Sequence, residues 1–202
     1  MSFKKSWGLG AIAAASLLAV PALAQDRDER IFDADEARRS LTQDLNVSVS
    51  GGLSAFTGDL GAETVAGGFL GVQASSRPLP LLGVELGYEG SRNAFEDIDG
   101  GLWRHNVGAL AKVGPELGVN RNLRPFVGAG VGVSLLNPSE TGEVPFDNDV
   151  ITEVPFAAGV EYDLGGITAG ARASYRLLGG ENLGAAESGN IVNLGIQVGG
   201  AF

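Results

Sequence analysis

From Leu45 onwards, apolar side chains alternate with glycine and small polar side chains along the chain. A period of two residues is typical of β-strands whose two faces meet different surroundings. Val47 and Val49, for example, are flanked by asparagine and serine residues. The pattern predicts eight strands of about ten residues each, over residues 45–55, 66–74, 82–89, 103–113, 126–135, 154–163, 167–176 and 192–202.

The connections between these predicted strands differ in length. Residues 76–80 (SRPLP) and 163–166 (DLGG) are short, and residues 114–122 form a link of intermediate length. Short turns at one end and long loops at the other, with an even number of antiparallel strands, form the pattern of outer-membrane β-barrels. The four longer, polar connections alternate with these and comprise residues 57–64, 92–101, 136–151 and 179–189.

A soluble barrel with an apolar interior would show the same alternation. The composition of the polar face indicates whether the apolar side chains face the lipid or the barrel interior. The chain has 32 glycines in 202 residues, and the glycines of the strands fall mostly on the polar face. Small residues suit the narrow lumen of an eight-stranded barrel. We therefore predict that the polar face lines the lumen. It also carries acids and bases able to neutralise one another there: Glu85, Glu89, Glu161, Asp163, Arg104, Lys112, Arg172 and Arg176.

The large aromatic residues of the apolar face are predicted to lie near strand ends, as in barrels whose aromatic girdles meet the two membrane–water interfaces. A soluble core would favour bulky aromatics at its centre. The sequence thus predicts an all-β, eight-stranded antiparallel up-and-down transmembrane β-barrel over residues 45–202. The girdle residues are Tyr88, Trp103, Phe156 and Tyr175 near the outer rim and Tyr162 and Phe202 near the inner rim.

The N-terminus has the features of an export signal. Lys4 and Lys5 precede an uncharged apolar run, residues 9–20, which is followed by Ala22-Leu23-Ala24. The run is shorter than the ~20 residues that span a bilayer, and the A-x-A pattern is typical of signal peptidase sites. Residues 1–24 are therefore predicted to be a signal peptide, and residues 25–44 a charged N-terminal periplasmic segment.

Composition excludes several kinds of function. A net charge of −10 argues against nucleic-acid binding, because phosphate backbones require a basic face. The absence of cysteine excludes disulfides and thiolate metal sites. The glycines of residues 128–132 (GAGVG) lie every second residue inside a predicted strand, whereas a dinucleotide fingerprint joins a strand to a helix. We expect no cofactor, no metal site and no catalytic residue.

The chain resembles the OmpA-like eight-stranded outer-membrane β-barrels of Gram-negative bacteria. The resemblance covers about residues 45–202 and is most specific in residues 124–132 (RPFVGAGVG) and in the C-terminal strand. It implies localisation in the outer membrane, among outer-membrane lipid and lipopolysaccharide, and periplasmic chaperones during biogenesis. The sequence stops at Phe202, so the peptidoglycan-binding domain of outer-membrane protein A is expected to be absent. The resemblance also implies recognition by the barrel-assembly machinery through Leu194, Ile196, Val198 and Phe202.

Two candidate chemistries remain weak on sequence grounds. Eight-stranded barrels include a lipid A deacylase with a His-x-Ser pair, but His105 is followed by Asn106 and Val107, and the alternation places it on the lipid side. Residues 97–100 (DIDG) match half of a calcium loop without its closing glutamate, so a solvated surface is favoured over weak divalent-cation binding.

The expected function is that of a monomeric, non-enzymatic barrel with a lumen plugged by charged side chains. Its role would be structural or carried by acidic external loops. The alternative is a narrow pore or transporter, in which Phe69, Leu110 and Phe126 on the inner face line a path for a small or apolar solute. A soluble exported lipocalin-like binder is a third hypothesis.

Overall fold

The computed structural model describes residues 45–79, 81–96, 99–138, 149–179 and 189–201. The predicted signal peptide, the charged segment 25–44 and Phe202 lie outside the described residues. Eight strands and one short helix, α1 (Gly58–Glu63), make up the described chain. The strands are β1 (Asn46–Thr57), β2 (Gly67–Leu79), β3 (Leu82–Ala94), β4 (Gly101–Val113), β5 (Leu123–Pro138), β6 (Asp149–Asp163), β7 (Ile167–Gly179) and β8 (Gly189–Ala201).

The strands form one closed antiparallel barrel. Each strand pairs with the next along the chain, and β1 closes the ring by pairing with β8, with Asn46 opposite Ala201. Closure satisfies the hydrogen bonds of every strand edge, as a bilayer requires of a spanning sheet. The predicted eight-stranded up-and-down barrel is confirmed. Among the described residues, no helix has the length and hydropathy to cross a membrane.

The two ends of the barrel differ. We call the end where Asn46 pairs with Ala201 the proximal end and the opposite end the distal end. Three connections lie at the proximal end, including the turn at residues 164–166, where Gly165 and Gly166 adopt positive φ. The remaining four connections are distal, and α1 is part of the first of them.

Several strands extend further at the distal end than the alternation predicted. β3 continues to Ala94 and β6 begins at Asp149, so the predicted loops 92–101 and 136–151 were too long. The physical reason is that the two faces do not differ in polarity at this end: inward-facing residues of β4 and β5, for example Leu102 and Leu136, are apolar, and the outward-facing Arg92 of β3 is polar. At these strand ends the hydrophobic pattern therefore loses its period of two residues.

The faces of the barrel are those predicted. Leu70 and Ile196 point outward and are 74% and 68% exposed, whereas the inward-facing Arg104 and Asn193 are buried. An apolar exterior around a polar, closely filled interior is the reverse of a soluble barrel.

Candidate functional site

The candidate site is the barrel lumen, which is filled in layers from the distal to the proximal end. At the distal end, buried apolar side chains from five strands, from α1 and from the connection after β3 pack together. We call this group the distal apolar cluster: Phe56, Leu60, Phe95, Leu102, Leu136, Ile151 and Ile191.

Helix α1 adds Leu60 to the distal apolar cluster. The Thr64 hydroxyl donates a hydrogen bond of 2.7 Å to the Leu60 carbonyl oxygen and so ties the end of the helix. Gly189 of β8 lies against the Leu60 side chain; a Cβ atom at position 189 would come within 2.6 Å of Leu60 Cδ1. Glycine at this position therefore allows the helix to pack against the barrel wall. The alternation pattern did not predict this helix.

Below the apolar cluster lies the distal ion cluster, formed by Glu89, Arg104, Glu153 and Arg176. Arg104 donates to both oxygens of Glu153, at 2.6 and 2.8 Å, and to Glu89 at 2.8 Å. Arg176 bridges the same two carboxylates, at 2.8 Å to Glu89 and 3.0 Å to Glu153. The side chains of Arg104 and Glu153 are 0% exposed. Two cations and two anions thus neutralise each other in a closed ring of contacts.

Neutral side chains add further hydrogen bonds to the distal ion cluster. The Ser134 hydroxyl donates to Glu153, and the Asn193 amide donates to Glu89 at 2.7 Å. Asn106 accepts from Arg176 at 3.2 Å and donates to Ser134 at 3.0 Å. Buried ion pairs are stabilising only when their remaining donors and acceptors are satisfied, and these amides and hydroxyls satisfy part of them.

Nearer the proximal end lies a second group, the proximal ion cluster, formed by Glu85, Lys112, Glu161 and Arg172. Arg172 makes a bidentate pair with Glu85, with both hydrogen bonds at 2.6 Å. Lys112 links Glu85 at 3.1 Å to Glu161 at 2.7 Å. A bidentate guanidinium–carboxylate pair fixes the orientation of both groups as well as their distance.

Phe126 packs beneath the cations of the proximal ion cluster. Its ring lies 5.2 Å from Lys112 Nζ and 5.4 Å from the Arg172 guanidinium carbon. Leu110 and Ala157 pack against the same ring. Gly159 makes room for it, since a Cβ atom there would lie 2.9 Å from the ring carbons. The inward-facing aromatic residue fills the lumen and stabilises its charges.

Between the two ion clusters is a chamber of about 70 Å³. Several buried polar atoms on its wall have no partner in the described part of the chain: Gln73 Nε2, Arg172 Nε, Arg176 Nε, Asn193 Oδ1 and Gln197 Oε1. A polar cavity of this size suits a small number of water molecules. It is too small for an organic solute.

The proximal end opens into a vestibule of about 540 Å³. Asp163 belongs to this mouth, not to either ion cluster, which corrects its predicted place in the lumen network. It lies 3.9 Å from Arg124 and accepts a 2.7 Å hydrogen bond from the Gly165 amide. Asp163 is the last residue of β6, and through this hydrogen bond its carboxylate stabilises the turn 164–166.

The other lumen residues predicted from the alternation are brought together as two separate clusters rather than one network. Glu153 was missed, although it has the most completely buried carboxylate of the distal ion cluster. The predicted loop ended at residue 151 and the predicted strand began at residue 154, so Glu153 was assigned to neither. Extending the alternation backwards from Val154 would have placed it inward.

The predicted girdle residues that the structure describes, Tyr88, Trp103, Phe156, Tyr162 and Tyr175, are all exposed on the outer face. Tyr88 and Phe156 lie near the middle of β3 and β6, not at strand ends, because both strands are longer than predicted. Their place at a membrane interface stays a prediction. Leu194, Ile196 and Val198 also face outward on β8; their role in assembly is likewise a prediction.

His105 lies on the outer face, and its Nδ1 forms a 2.6 Å hydrogen bond with the Tyr88 hydroxyl. Within the described ranges, no three histidine, aspartate or glutamate side chains are grouped as metal ligands would be. Asp97 of the half-calcium pattern lies outside those ranges.

Comparison with known proteins shows similarity of fold. No family model matches the sequence, and no curated protein matches it. Neisserial surface protein A superposes with a TM-score of 0.60 at 16% identity, covering 78% of this chain and 97% of that chain. Ail, the attachment invasion locus protein of Yersinia pestis, superposes with a TM-score of 0.50 at 15% identity, covering 80% of this chain and 100% of that chain.

These similarities, together with the closed ring of eight strands, define the class of protein. The chain has the fold of the OmpA-like eight-stranded outer-membrane β-barrels. The fold expected from the resemblance is confirmed.

Proposed function

We propose that this protein is a non-enzymatic, monomeric barrel of the outer membrane whose lumen is closed by its own side chains. Its role is structural or is carried by the distal loops. The observation that supports this most directly is the order of layers along the lumen: the distal apolar cluster over the distal ion cluster, and that over the proximal ion cluster.

Each layer opposes the passage of solute for a different reason. An ion crossing the distal apolar cluster would lose its hydration without gaining a partner. An ion crossing either ion cluster would have to separate buried, hydrogen-bonded charge pairs such as Arg104–Glu153. Breaking such a pair costs about 3–5 kcal/mol when one partner is lost. The layers act in series, so the lumen stays closed unless all of them move.

The distal loops are the best candidates for contacts with other molecules. In this placement the proximal end is periplasmic and the distal end is extracellular. Ail, which shares the fold, has a structure in complex with the heparin analogue sucrose octasulfate. A polysulfated ligand of that kind would be repelled here, and a basic partner surface is favoured instead. The loops predicted from the sequence carry eleven acids and one base, but Arg92 and Asp149 belong to β3 and β6 in the structure. The four distal connections then carry no base and ten acids: Asp59, Glu63, Glu96, Asp97, Asp99, Glu140, Glu143, Asp147, Glu181 and Glu187.

The other expected partners follow from localisation in the outer membrane. They are outer-membrane lipid and lipopolysaccharide, with the barrel-assembly machinery and periplasmic chaperones during biogenesis. Catalysis by His105 is disfavoured, because its Nδ1 is bonded to Tyr88 on the outer face of the barrel. A general base must reach the proton of a nucleophile.

Planar-bilayer recording tests the closed lumen. We expect the reconstituted barrel to show no regular open state, because every layer blocks the same axis. The control is the same preparation boiled before reconstitution, which separates protein channels from bilayer leakage. A reproducible unitary conductance that requires the folded barrel would contradict the proposal.

Cysteine accessibility shows where along the lumen the barrier lies. The chain has no cysteine of its own, so a single introduced cysteine is the only thiol that can be labelled. Ser75 lines the proximal vestibule, whereas Ser54 is fully buried near the distal end. A membrane-impermeant thiol reagent should label S75C from the proximal side and leave S54C unlabelled from that side. Labelling of both variants would mean that the ion clusters do not close the lumen.

A narrow pore is the second candidate, and one observation favours it. The vestibule of about 540 Å³ and the chamber of about 70 Å³ both contact the proximal ion cluster, through Glu161 and Glu85 respectively. Phe69, Leu110 and Phe126 do not form a continuous apolar path, because charged side chains lie between them. A regular conductance would favour this candidate over the closed barrel.

A further inference from the structure

Arg92 differs from the cations of the two ion clusters. Arg104, Lys112, Arg172 and Arg176 point into the lumen, where each is paired with a carboxylate. Arg92, close to the distal end of β3, is instead exposed on the outer face. Within the described ranges, no carboxylate lies at ion-pairing distance from Arg92. Among the described residues, its guanidinium donors therefore have no carboxylate partner.

The Arg92 side chain is held over an aromatic surface. Its guanidinium carbon lies 5.6 Å from the centre of the Trp103 ring, on the residue directly opposite in β4. A cation stacked on tryptophan keeps its edge donors free, because the interaction uses the flat face of the guanidinium. The contact thus orients Arg92 without satisfying its hydrogen-bonding groups.

The aromatic surface continues along the barrel. His105 stacks on Trp103 with ring centres 6.5 Å apart, and Tyr88 donates to or accepts from His105 Nδ1 at 2.6 Å. Gly90 lies opposite His105, and a Cβ atom there would be 3.4 Å from the Tyr88 hydroxyl. Position 90 therefore lies in contact with the Tyr88 ring on the same face of β3. We call Tyr88, Arg92, Trp103 and His105 the outer aromatic–arginine row.

We propose that the outer aromatic–arginine row binds the phosphate group of an anionic lipid in the leaflet at the distal end. This inference rests on the membrane placement given under Proposed function. The guanidinium fork matches phosphate geometry. Trp103 lies near the distal end of β4, and tryptophan rings favour the headgroup level of a bilayer. The site is on the lipid-facing wall and not in the acidic loops, so the lipid reaches it from within the membrane.

Tryptophan fluorescence measures this binding directly. The chain has two tryptophans, so a W7F variant of the full chain leaves Trp103 as the only reporter. The protein is reconstituted in phosphatidylcholine vesicles that contain either brominated phosphatidylcholine or brominated phosphatidic acid, and Trp103 quenching gives the relative binding constant of the two lipids. We expect phosphatidic acid to be preferred about fivefold, the effect of about one favourable charge contact at a membrane surface.

Matched variants separate the site from general electrostatics. R92Q should bind phosphatidic acid and phosphatidylcholine about equally well, since the substitution removes the single charge contact. R121Q, which removes an exposed arginine at the proximal end, should leave the preference unchanged. An unchanged preference in R92Q, or an equal loss in R121Q, would overturn the proposal.

Two further arms complete the test. Loss of the preference in excess inorganic phosphate would assign the site to the free anion and overturn the assignment to lipid. Quenching by brominated phosphatidylcholine alone reports membrane insertion of the barrel. Its absence would reject the membrane placement itself, whereas its presence without a phosphatidic acid preference would reject only the lipid site.

Discussion

At the scale of single residues, Glu153 is the most constrained charge in the lumen. Its two oxygens accept from Arg104, Arg176 and Ser134, and its side chain is wholly buried. A buried carboxylate without cations would be strongly unfavourable, and buried guanidinium groups without it would be equally so. The main effect of Glu153 is therefore to neutralise the two buried arginines. The ion pairs themselves add little net stability.

E153Q tests this dependence while preserving volume. The amide cannot neutralise Arg104 and Arg176, so only Glu89 would balance them. We expect the free energy of unfolding, measured by urea titration in lipid vesicles, to fall by about 3 kcal/mol. E63Q, on the exposed side of α1, is the control and should change it little. Equal stabilities for the two variants would show that the distal ion cluster is not structurally required.

At the scale of the strand, each element separates two surroundings with opposite requirements. In β7, Ala171, Ala173 and Tyr175 face outward, while Arg172 and Arg176 face the lumen. A shift by one residue would place the arginines in lipid and the apolar residues among the ion clusters. The register is thus determined by the pattern of the strand itself.

The outward position of Ala171 permits a test of which medium surrounds the barrel. An arginine at a lipid-facing position costs about 2–4 kcal/mol near the bilayer midplane. We expect A171R to lose that much unfolding free energy in vesicles, whereas A171L, the control at the same position, should be neutral or more stable. If A171R were as stable as A171L, the outer wall of β7 would face water.

At the scale of the whole molecule, closure of the barrel makes the hydrogen bonds of all strands cooperative. β1 and β8 are far apart in sequence, yet their pairing runs from Asn46–Ala201 to Thr57–Asn190. The filled lumen adds cross-barrel ion pairs, such as Glu85 of β3 with Arg172 of β7. Detergent must therefore disrupt the hydrogen bonds between the strands and the ion pairs of the lumen at the same time.

Gel electrophoresis of boiled and unboiled samples tests this cooperativity. We expect the outer-membrane fraction to contain the protein as a compact, fast-migrating band in SDS that shifts on boiling. Closed barrels resist SDS because no strand edge is open to it. Recovery in the soluble periplasmic fraction without a shift would favour a soluble barrel, and the interpretation of the two faces would then have to be reversed.

Much of this architecture was accessible from the sequence because the two faces of each strand meet different media. The alternation predicted eight antiparallel strands, the lumen position of Arg104 and Arg172, and the outward position of Trp103. Where the contrast between faces vanished, prediction failed: Leu102 and Leu136 face inward but are apolar, so the distal ends of β4 and β5 were not predicted. In β6 the buried Ile151 breaks the pattern in the same way, and Glu153 was left outside the predicted strand.

The sequence by itself therefore determined the number of strands, their faces and most of the charged residues of the lumen, since those depend on local periodicity. Only the tertiary structure decided which charges meet. Arg104 pairs with Glu153, 49 residues away, because curvature brings β4 and β6 to the same lumen layer. It likewise placed α1 over the distal opening and Asp163 at the proximal mouth. Such contacts are set by ring closure and strand tilt, which no local pattern encodes.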